Sequence, residues 1–579
     1  MDGTQDIYRS ESLPQGHKYV LSLTSPRPQY SADWGDYISF AERMRKKADD
    51  DGVDLLLIDT GDRIEGNGLY DASNPKGKYT YDIFREQDIE VICTGNHELY
   101  QSDAAAREYD QTVPNFKGKY LASNLDYIDP KTGDQIPMAR RYRKFTTKNQ
   151  GIRVLAFGFL FDFTGNAKNT VVQPVENTIK EKWFQEAIRE DVDLFLVIGH
   201  VTLSGPEYNA LFKAIRSQKW DTPIQFFGGH SHIRDFAKYD SKAYGLQAGR
   251  YMETIGWMSI DGIKGKGTKD PKEIGAQASM SFQRRYIDNN LFGFHYHTGL
   301  NETTFPTEHG KNVSSFIHSS RKALNLDHSF GCAPKDLWLN RAPYPSNDSL
   351  LTWLETEVIP AIAVNPDRKD VPTLAITNSG AMRFDIFKGS FTTDTTFIIS
   401  PFISKFLYIK DVPYKSAKGI LKLLNSGGPV FETSALKASQ LAPPEQMSIH
   451  TDIIAPSLPS IPSYNPASPQ HPLSSQEEPD LVPGYTTKDA GGTDGDDTLH
   501  APISFYRVPN CIQSPISLPE DKDPEVVDLV FIDFIQPWIL AALEFTGEKY
   551  DRSDVEIYRK ETLTELMAAW IKENWKQDC

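Results

Sequence analysis

An α/β fold in two domains is what this chain predicts, on three observations. Apolar runs alternate with amphipathic stretches from about residue 35 to 260. Polar clusters rich in glycine and histidine stand directly behind those runs, where ligand sites of α/β sheets gather. A second alternating region follows from about 315 to 579. With 579 residues the chain is long enough for each part to bury its own core. The division predicted is 1–295 and 296–579, with an insertion at 443–483 in the second part.

In the first part the strands read as Asp54–Asp59 (DLLLID), Ile89–Cys93 (IEVIC), Ile152–Phe157, Asp193–Ile198 (DLFLVI) and Ile224–Phe227, with an earlier one at Tyr19–Leu23. Helices fit at Ser31–Asp49 and Lys180–Glu190. The second part opens with a helix over Ser349–Ala363 and a strand at Thr373–Thr377, and its last helix spans Glu561–Trp575. Between Pro443 and Pro483 proline and serine dominate (PSLPSIPSYNPASPQHP), so the segment is expected to be a surface insertion open to proteases.

Composition narrows the function. The chain is 39% hydrophobic and 24% charged, an ordinary globular balance, and its net charge is −16. No basic stripe is present, which argues against binding a nucleic-acid duplex. An anionic substrate therefore calls for local cations, most simply bound metal and one or two arginines. Cys93, Cys332, Cys511 and Cys579 form no CxxC pair and leave the redox compartment open. The most apolar stretch, Val526–Phe545, is broken by Asp528, Asp533 and Gln536, so no membrane span is expected. Sequons start at Asn301, Asn312 and Asn347, a number near chance for this length.

Four clusters carry the chemistry: Asp59-Thr-Gly-Asp62-Arg-Ile-Glu-Gly66, Gly95-Asn96-His97-Glu98, Gly199-His200, and Gly228-Gly229-His230-Ser-His232. They supply a carboxylate, a carboxamide and four imidazoles, donors that suit zinc, manganese or a similar divalent ion without any thiolate. Glycines beside each donor let tight turns bring separate strand ends onto one ion.

This ordered set resembles the calcineurin-like metallophosphoesterases. The later stretch from Asn378 through Arg383 to Asp385, followed by Ser400-Pro401-Phe402, resembles the C-terminal domain of 5′-nucleotidases, and the whole is most similar to fungal two-domain members. The resemblance implies a four-layer β-sandwich flanked by helices, then an α/β domain that selects the leaving group. It implies a metal-dependent phosphoester hydrolase releasing phosphate from nucleotides. Asp62 would bridge two divalent metals. Asn96, His200 and His230 would complete one site and His232 would belong to the other. His97 would be the catalytic residue facing the phosphoryl group, with Arg383, Asn378 and Phe402 toward the substrate, Phe402 as a base-stacking face. A secretory or vacuolar location goes with the same family.

The chain departs from the family pattern in three places. An Asp-x-His usually follows the first strand, but here Thr24-Ser25-Pro26-Arg27-Pro28 follows Leu23, and His17 lies on its other side. Related chains read GNHEFD, whose last residue orients the catalytic histidine, and Tyr100 stands there instead. The acidic stretch after Gly491-Gly492 lacks the preceding phenylalanine. The first departure predicts about one tightly held metal and slow turnover, and the family pattern resumes at Gln29–Asp36 as if a segment had been lost or misjoined, together with the leader. Two alternatives stay open: a non-catalytic relative keeping one metal, and a phosphoesterase for sugar nucleotides or phosphoproteins.

Overall fold

The computed structural model describes residues 31–263, 280–426, 441–443, 480–481, 497, 504–519, 521–577 and 579. The strand expected at Tyr19–Leu23, His17, Thr24–Pro28 and nearly all of the proline-rich segment lie outside the described residues. Two compact units emerge: one from Met1–Glu65, Ser73–Ala323 and Pro483–Pro502, the other from Gly66–Ala72, Leu324–Val482 and Ile503–Cys579.

The first unit begins with helix α1 (Trp34–Asp51), whose start is set by a capping box between Asp33 and Asp36 and whose end is Gly52 in the left-handed conformation at φ 70°. Strands β1 (Ile58–Asp59) and β2 (Val91–Ile92) pair in parallel, Ile58 opposite Val91 and Asp59 opposite Ile92. The run expected from Asp54 is thus regular strand only in its last two residues. A six-stranded sheet follows, built of β3 (Tyr142–Thr146), β4 (Arg153–Leu160), β5 (Leu194–His200), β6 (Ile224–Gly228), β7 (Arg234–Asp240) and β8 (Ala243–Ala248). Its order is β7-β8-β6-β5-β4-β3, with the inner pairs parallel and both edges antiparallel.

The period of two along β4 and β5 sorts their side chains onto two faces. Leu155, Phe157, Phe159, Phe195 and Val197 pack with Phe184 and with Tyr208, Leu211 and Ile215 of helix α2 (Pro206–Gln218). Val154, Ala156, Leu194, Leu196 and Ile198 face the other way, onto Val91, Cys93 and Leu121. The β1–β2 layer therefore closes a sandwich over the large sheet. A buried phenylalanine or leucine on either face contributes about 1.5–3 kcal/mol on leaving water. Helix α3 (Glu308–Ala323) packs on α1 in the same unit.

The second unit is built on a five-stranded mixed sheet of β9 (Thr373–Asn378), β10 (Lys405–Pro413), β11 (Cys511–Ile516), β12 (Val526–Ile532) and β13 (Glu556–Thr562), in the order β11-β9-β12-β10-β13. The last helix, Leu563–Asn574, is shorter than expected because Glu556–Thr562 is strand and Thr562 caps the helix with Glu565. The helix expected over Ser349–Ala363 contains a π turn at Leu354–Val358 between Leu350–Trp353 and Ile359–Ile362. A disulfide joins Cys332 to Cys579 across 247 positions, while Cys93 and Cys511 are free and buried. Among the described residues no helix is long and apolar enough to cross a membrane.

Candidate active site

Because β1 and β2 run in parallel, the loops behind them leave the same end side by side, and they touch backbone to backbone. A Cβ on Gly61 (φ 91°) would lie 2.1 Å from the Gly95 nitrogen, and one on Gly95 would lie 2.2 Å from Asp62 Oδ1. Neither position has room for a side chain. Glu98, fully buried, fastens the two loops: its carboxylate accepts the amides of Asp62 at 2.9 Å and Gly95 at 2.7 Å, and that of Arg63. The His97 amide donates to Asp62 Oδ1 at 3.0 Å. Below them Arg63 is buried, donating to Asp59 Oδ1 and to the Cys93 carbonyl, each at 2.7 Å, and pairing with Glu108. Burial pushes the Glu108 carboxyl up, and Arg63 opposes that shift.

His200 closes β5. Its Nδ1 is 3.0 Å from the Thr60 carbonyl, which can only accept, so Nδ1 carries the proton. The lone pair of a neutral ring then sits at Nε2, 3.0 Å from Asp62 Oδ2, in a place where both side chains are buried. Nε2 and Oδ2 this close share a cation, either a proton on Nε2 or a metal ion bound beside both. The second-nitrogen bond to a carbonyl is the usual way a metal-binding imidazole is oriented. His230 packs edge-on against His200 with ring centres 5.1 Å apart and stacks on Phe161 at 4.1 Å. The ring of His232 is 5.6 Å from that of Tyr251.

Asn96 donates through Nδ2 to the Tyr100 hydroxyl at 2.9 Å, and its Oδ1 is buried with no hydrogen-bond partner. Tyr100 thus orients the carboxamide rather than His97. Instead His97 Nδ1 lies 2.8 Å from Glu65 Oε2, leaving Nε2 at 3.8 Å from Asp62 Oδ2. Backbone strain is concentrated here: Asp62 (φ 62°), Glu65 (φ 65°), His230 (φ 77°) and His232 (φ 60°) are all left-handed without being glycine. Each costs about 1 kcal/mol or more, and such strain clusters at functional sites.

Among the described residues no three His, Cys, Asp or Glu side chains form a group able to hold a metal ion. Asp62 and His200 converge, and Asn96 Oδ1 is a buried oxygen without a hydrogen-bond partner. That set fits a divalent ion such as zinc or manganese.

In the second unit Asn378 ends β9, buried, with Nδ2 donating to the Leu441 carbonyl at 3.0 Å. Arg383 lies over the Phe402 ring at 4.8 Å. Asp385 accepts the Leu339 amide at 2.7 Å. The acidic loop after Gly491 is outside the described residues except for Asp497, which pairs with His297 at 2.8 Å within the first unit.

Thr60, Arg63, Glu65 and Glu98 fall inside the expected clusters, but sequence reasoning gave them no role. Their bonds join groups that only folding brings together in this arrangement, and these leave no periodic or spacing signal.

Comparison with known proteins agrees with this architecture. Residues 17–234 match the calcineurin-like phosphoesterase family, and residues 336–540 match the C-terminal domain of NAD nucleotidase. The crystal structure of a 5′-nucleotidase from Candida albicans is similar at 37% identity and a TM-score of 0.79, covering 94% of each chain. A protein of Arthroderma benhamiae called a secreted protein is 36% identical, covering 95% of this chain and 87% of its own length. An uncharacterized protein of Schizosaccharomyces pombe is 37% identical, covering 95% and 89%. With this similarity running through both units, the chain belongs to the calcineurin-like phosphoesterases that carry a C-terminal domain of the 5′-nucleotidase type.

Proposed function

We propose that this chain is a metal-dependent phosphoester hydrolase that releases phosphate from nucleotides. The observation that carries the reading is the buried approach of His200 Nε2 to Asp62 Oδ2, with the His200 proton held on Nδ1 by Thr60. Asp62, Asn96, His200 and His230 would hold a divalent ion, and His232 would belong to a second site. When bound, such an ion polarises a phosphoryl oxygen and lowers the pKa of water.

The protein's own groups supply the rest. The Asp62 carboxylate is held in place by the His97 amide and by the amide clasp of Glu98. Asn96 is turned by Tyr100 so that its oxygen, not its nitrogen, is left over. His97, through Nε2, is the group that would stabilise charge on the phosphoryl oxygens or give a proton to the leaving oxygen. Arg383 beside the Phe402 face offers a cation next to an aromatic ring, the chemistry a phosphate joined to a base requires. Asn378 would contribute to the same recognition.

The Cys332–Cys579 disulfide and the exposure of all three sequon asparagines support passage through an oxidising secretory compartment. The relative named a secreted protein points the same way.

The test is phosphate release from a nucleoside monophosphate, a sugar nucleotide, a chromogenic ester and a phosphopeptide, each with and without chelator. Chelator-sensitive release, fastest from the nucleoside monophosphate, is expected. Preference for the phosphopeptide or the sugar nucleotide would overturn the substrate assignment, and no release from any of them would overturn the hydrolase reading.

A further inference from the structure

We propose that Glu65 is the positioning residue of His97, fixing its tautomer so that Nε2 is the nitrogen turned toward Asp62. This rests on the functional reading of His97 given above.

Three observations carry it. His97 Nδ1 lies 2.8 Å from Glu65 Oε2, with both side chains buried. A carboxylate accepts and does not donate, so Nδ1 carries a proton toward Glu65 and Nε2 is the nitrogen left for the reacting group. Nε2 lies 3.8 Å from Asp62 Oδ2, which puts it at the carboxylate that His200 also faces. Second, Glu65 holds a left-handed backbone at φ 65°, immediately before Gly66 at φ 91°. Glycine or asparagine adopts that conformation with least strain, and a long acidic side chain there is set against local preference. The turn throws the carboxylate back toward the residue 32 positions later. Third, Tyr100, four residues after Asn96, takes the Asn96 amide at 2.9 Å and meets the His97 ring edge-on at 5.1 Å.

The pair therefore behaves as a dyad in which one member touches the reacting group and the other sets its direction. Without Glu65 the ring is free to flip or to carry its proton on Nε2, and the share of molecules presenting the working tautomer falls.

The experiment uses the full chain labelled with ¹⁵N-histidine, with His97 assigned by its disappearance in His97→Ala. Wild type is expected to show His97 protonated at Nδ1. Glu65→Ala should shift it to the other tautomer or to a mixture. Glu65→Gln, which keeps the shape and can either accept or donate, should give a mixture in a chain that keeps its backbone. In metal-loaded protein acting on a nucleoside monophosphate, Glu65→Ala should lower kcat about 10–100-fold with KM and bound metal unchanged. It should cost nothing further in a His97→Ala background. An unchanged His97 tautomer in both Glu65 variants, or an equal loss with and without His97, would overturn the proposal. A wild type that releases no phosphate would strike the hydrolase reading instead, while the tautomer measurement still decides the role of Glu65.

Discussion

His200 Nε2 and Asp62 Oδ2 stand 3.0 Å apart in the interior while His200 Nδ1 is committed to the Thr60 carbonyl. If the pair holds a divalent ion, as proposed, the folded chain should be more stable with the ion than without. Unfolding followed with and without added zinc or manganese should show a higher midpoint with metal, rising with metal concentration as RT ln(1 + [L]/Kd) requires. His200→Ala should lose that dependence. A midpoint indifferent to metal in the unmodified chain would count against the pair as a ligand set.

Gly95 and Gly419 should respond oppositely to alanine. At Gly95 the added methyl meets Asp62 Oδ1 at 2.2 Å and the Asp62 nitrogen at 2.4 Å, so the two loops must part. Gly419, inside the helix Tyr414–Ser426, has open space around it. Gly95→Ala should cost about 1–3 kcal/mol and most of the activity. Gly419→Ala should add about 0.5–1 kcal/mol and leave turnover alone. Urea unfolding with a phosphate-release assay distinguishes the two, and equal signs would refute the loop contact.

Removing the disulfide should be felt throughout the second unit. Cys332→Ser frees a loop of 247 residues in the unfolded chain, a change worth about 2–4 kcal/mol. Reductant should lower the melting temperature of the wild type and leave Cys332→Ser unmoved. If reductant acts equally on both, the bridge contributes nothing.

His309 should give the first unit a pH dependence. Its Nδ1 faces Glu42 at 2.8 Å and its Nε2 faces Glu86 at 3.1 Å, so both nitrogens must donate and the ring is held charged. The hydrogen bond to Glu42, more than that to Glu86, raises its pKa above the ordinary 6.5. A raised pKa means the stabilisation is complete below pH 6.5 and is lost as pH rises through the higher folded value. The site is partly exposed, so the effect is small, about 2 °C. Melting of His309→Ala against wild type should differ most near pH 5.5 and converge in mildly alkaline buffer. A gap that widened with pH would contradict the charged-ring account.

Much of this architecture is legible from residues alone because it rests on repeating patterns. The uninterrupted apolar runs Val154–Leu160 and Leu194–Ile198 mark strands buried on both faces, and the structure places the expected clusters behind their strands. Element ends were less legible. The run Asp54–Leu57 looks like strand, yet only Ile58 and Asp59 pair with β2, and Glu561 begins no helix because Thr562 is the cap. The supporting bonds of the site were not legible at all. Nothing in the sequence gives Glu65 a role, and only its left-handed backbone and the reach of its carboxylate to His97 reveal one. Cys332 and Cys579 meet only because the strand Ser329–Ala333 and the end of the chain are brought together by tertiary packing.

The most direct test of the central claim is the metal content of the purified full chain, measured by elemental analysis beside phosphate release from a nucleoside monophosphate. The unmodified chain should retain about one tightly bound divalent ion through dialysis, and chelator should remove the ion and the activity together. His200→Ala and Asp62→Asn should lack both, whereas His97→Ala should keep the ion and lose about 10²–10⁴-fold in turnover. Undiminished phosphate release from His200→Ala, insensitive to chelator, would contradict the account.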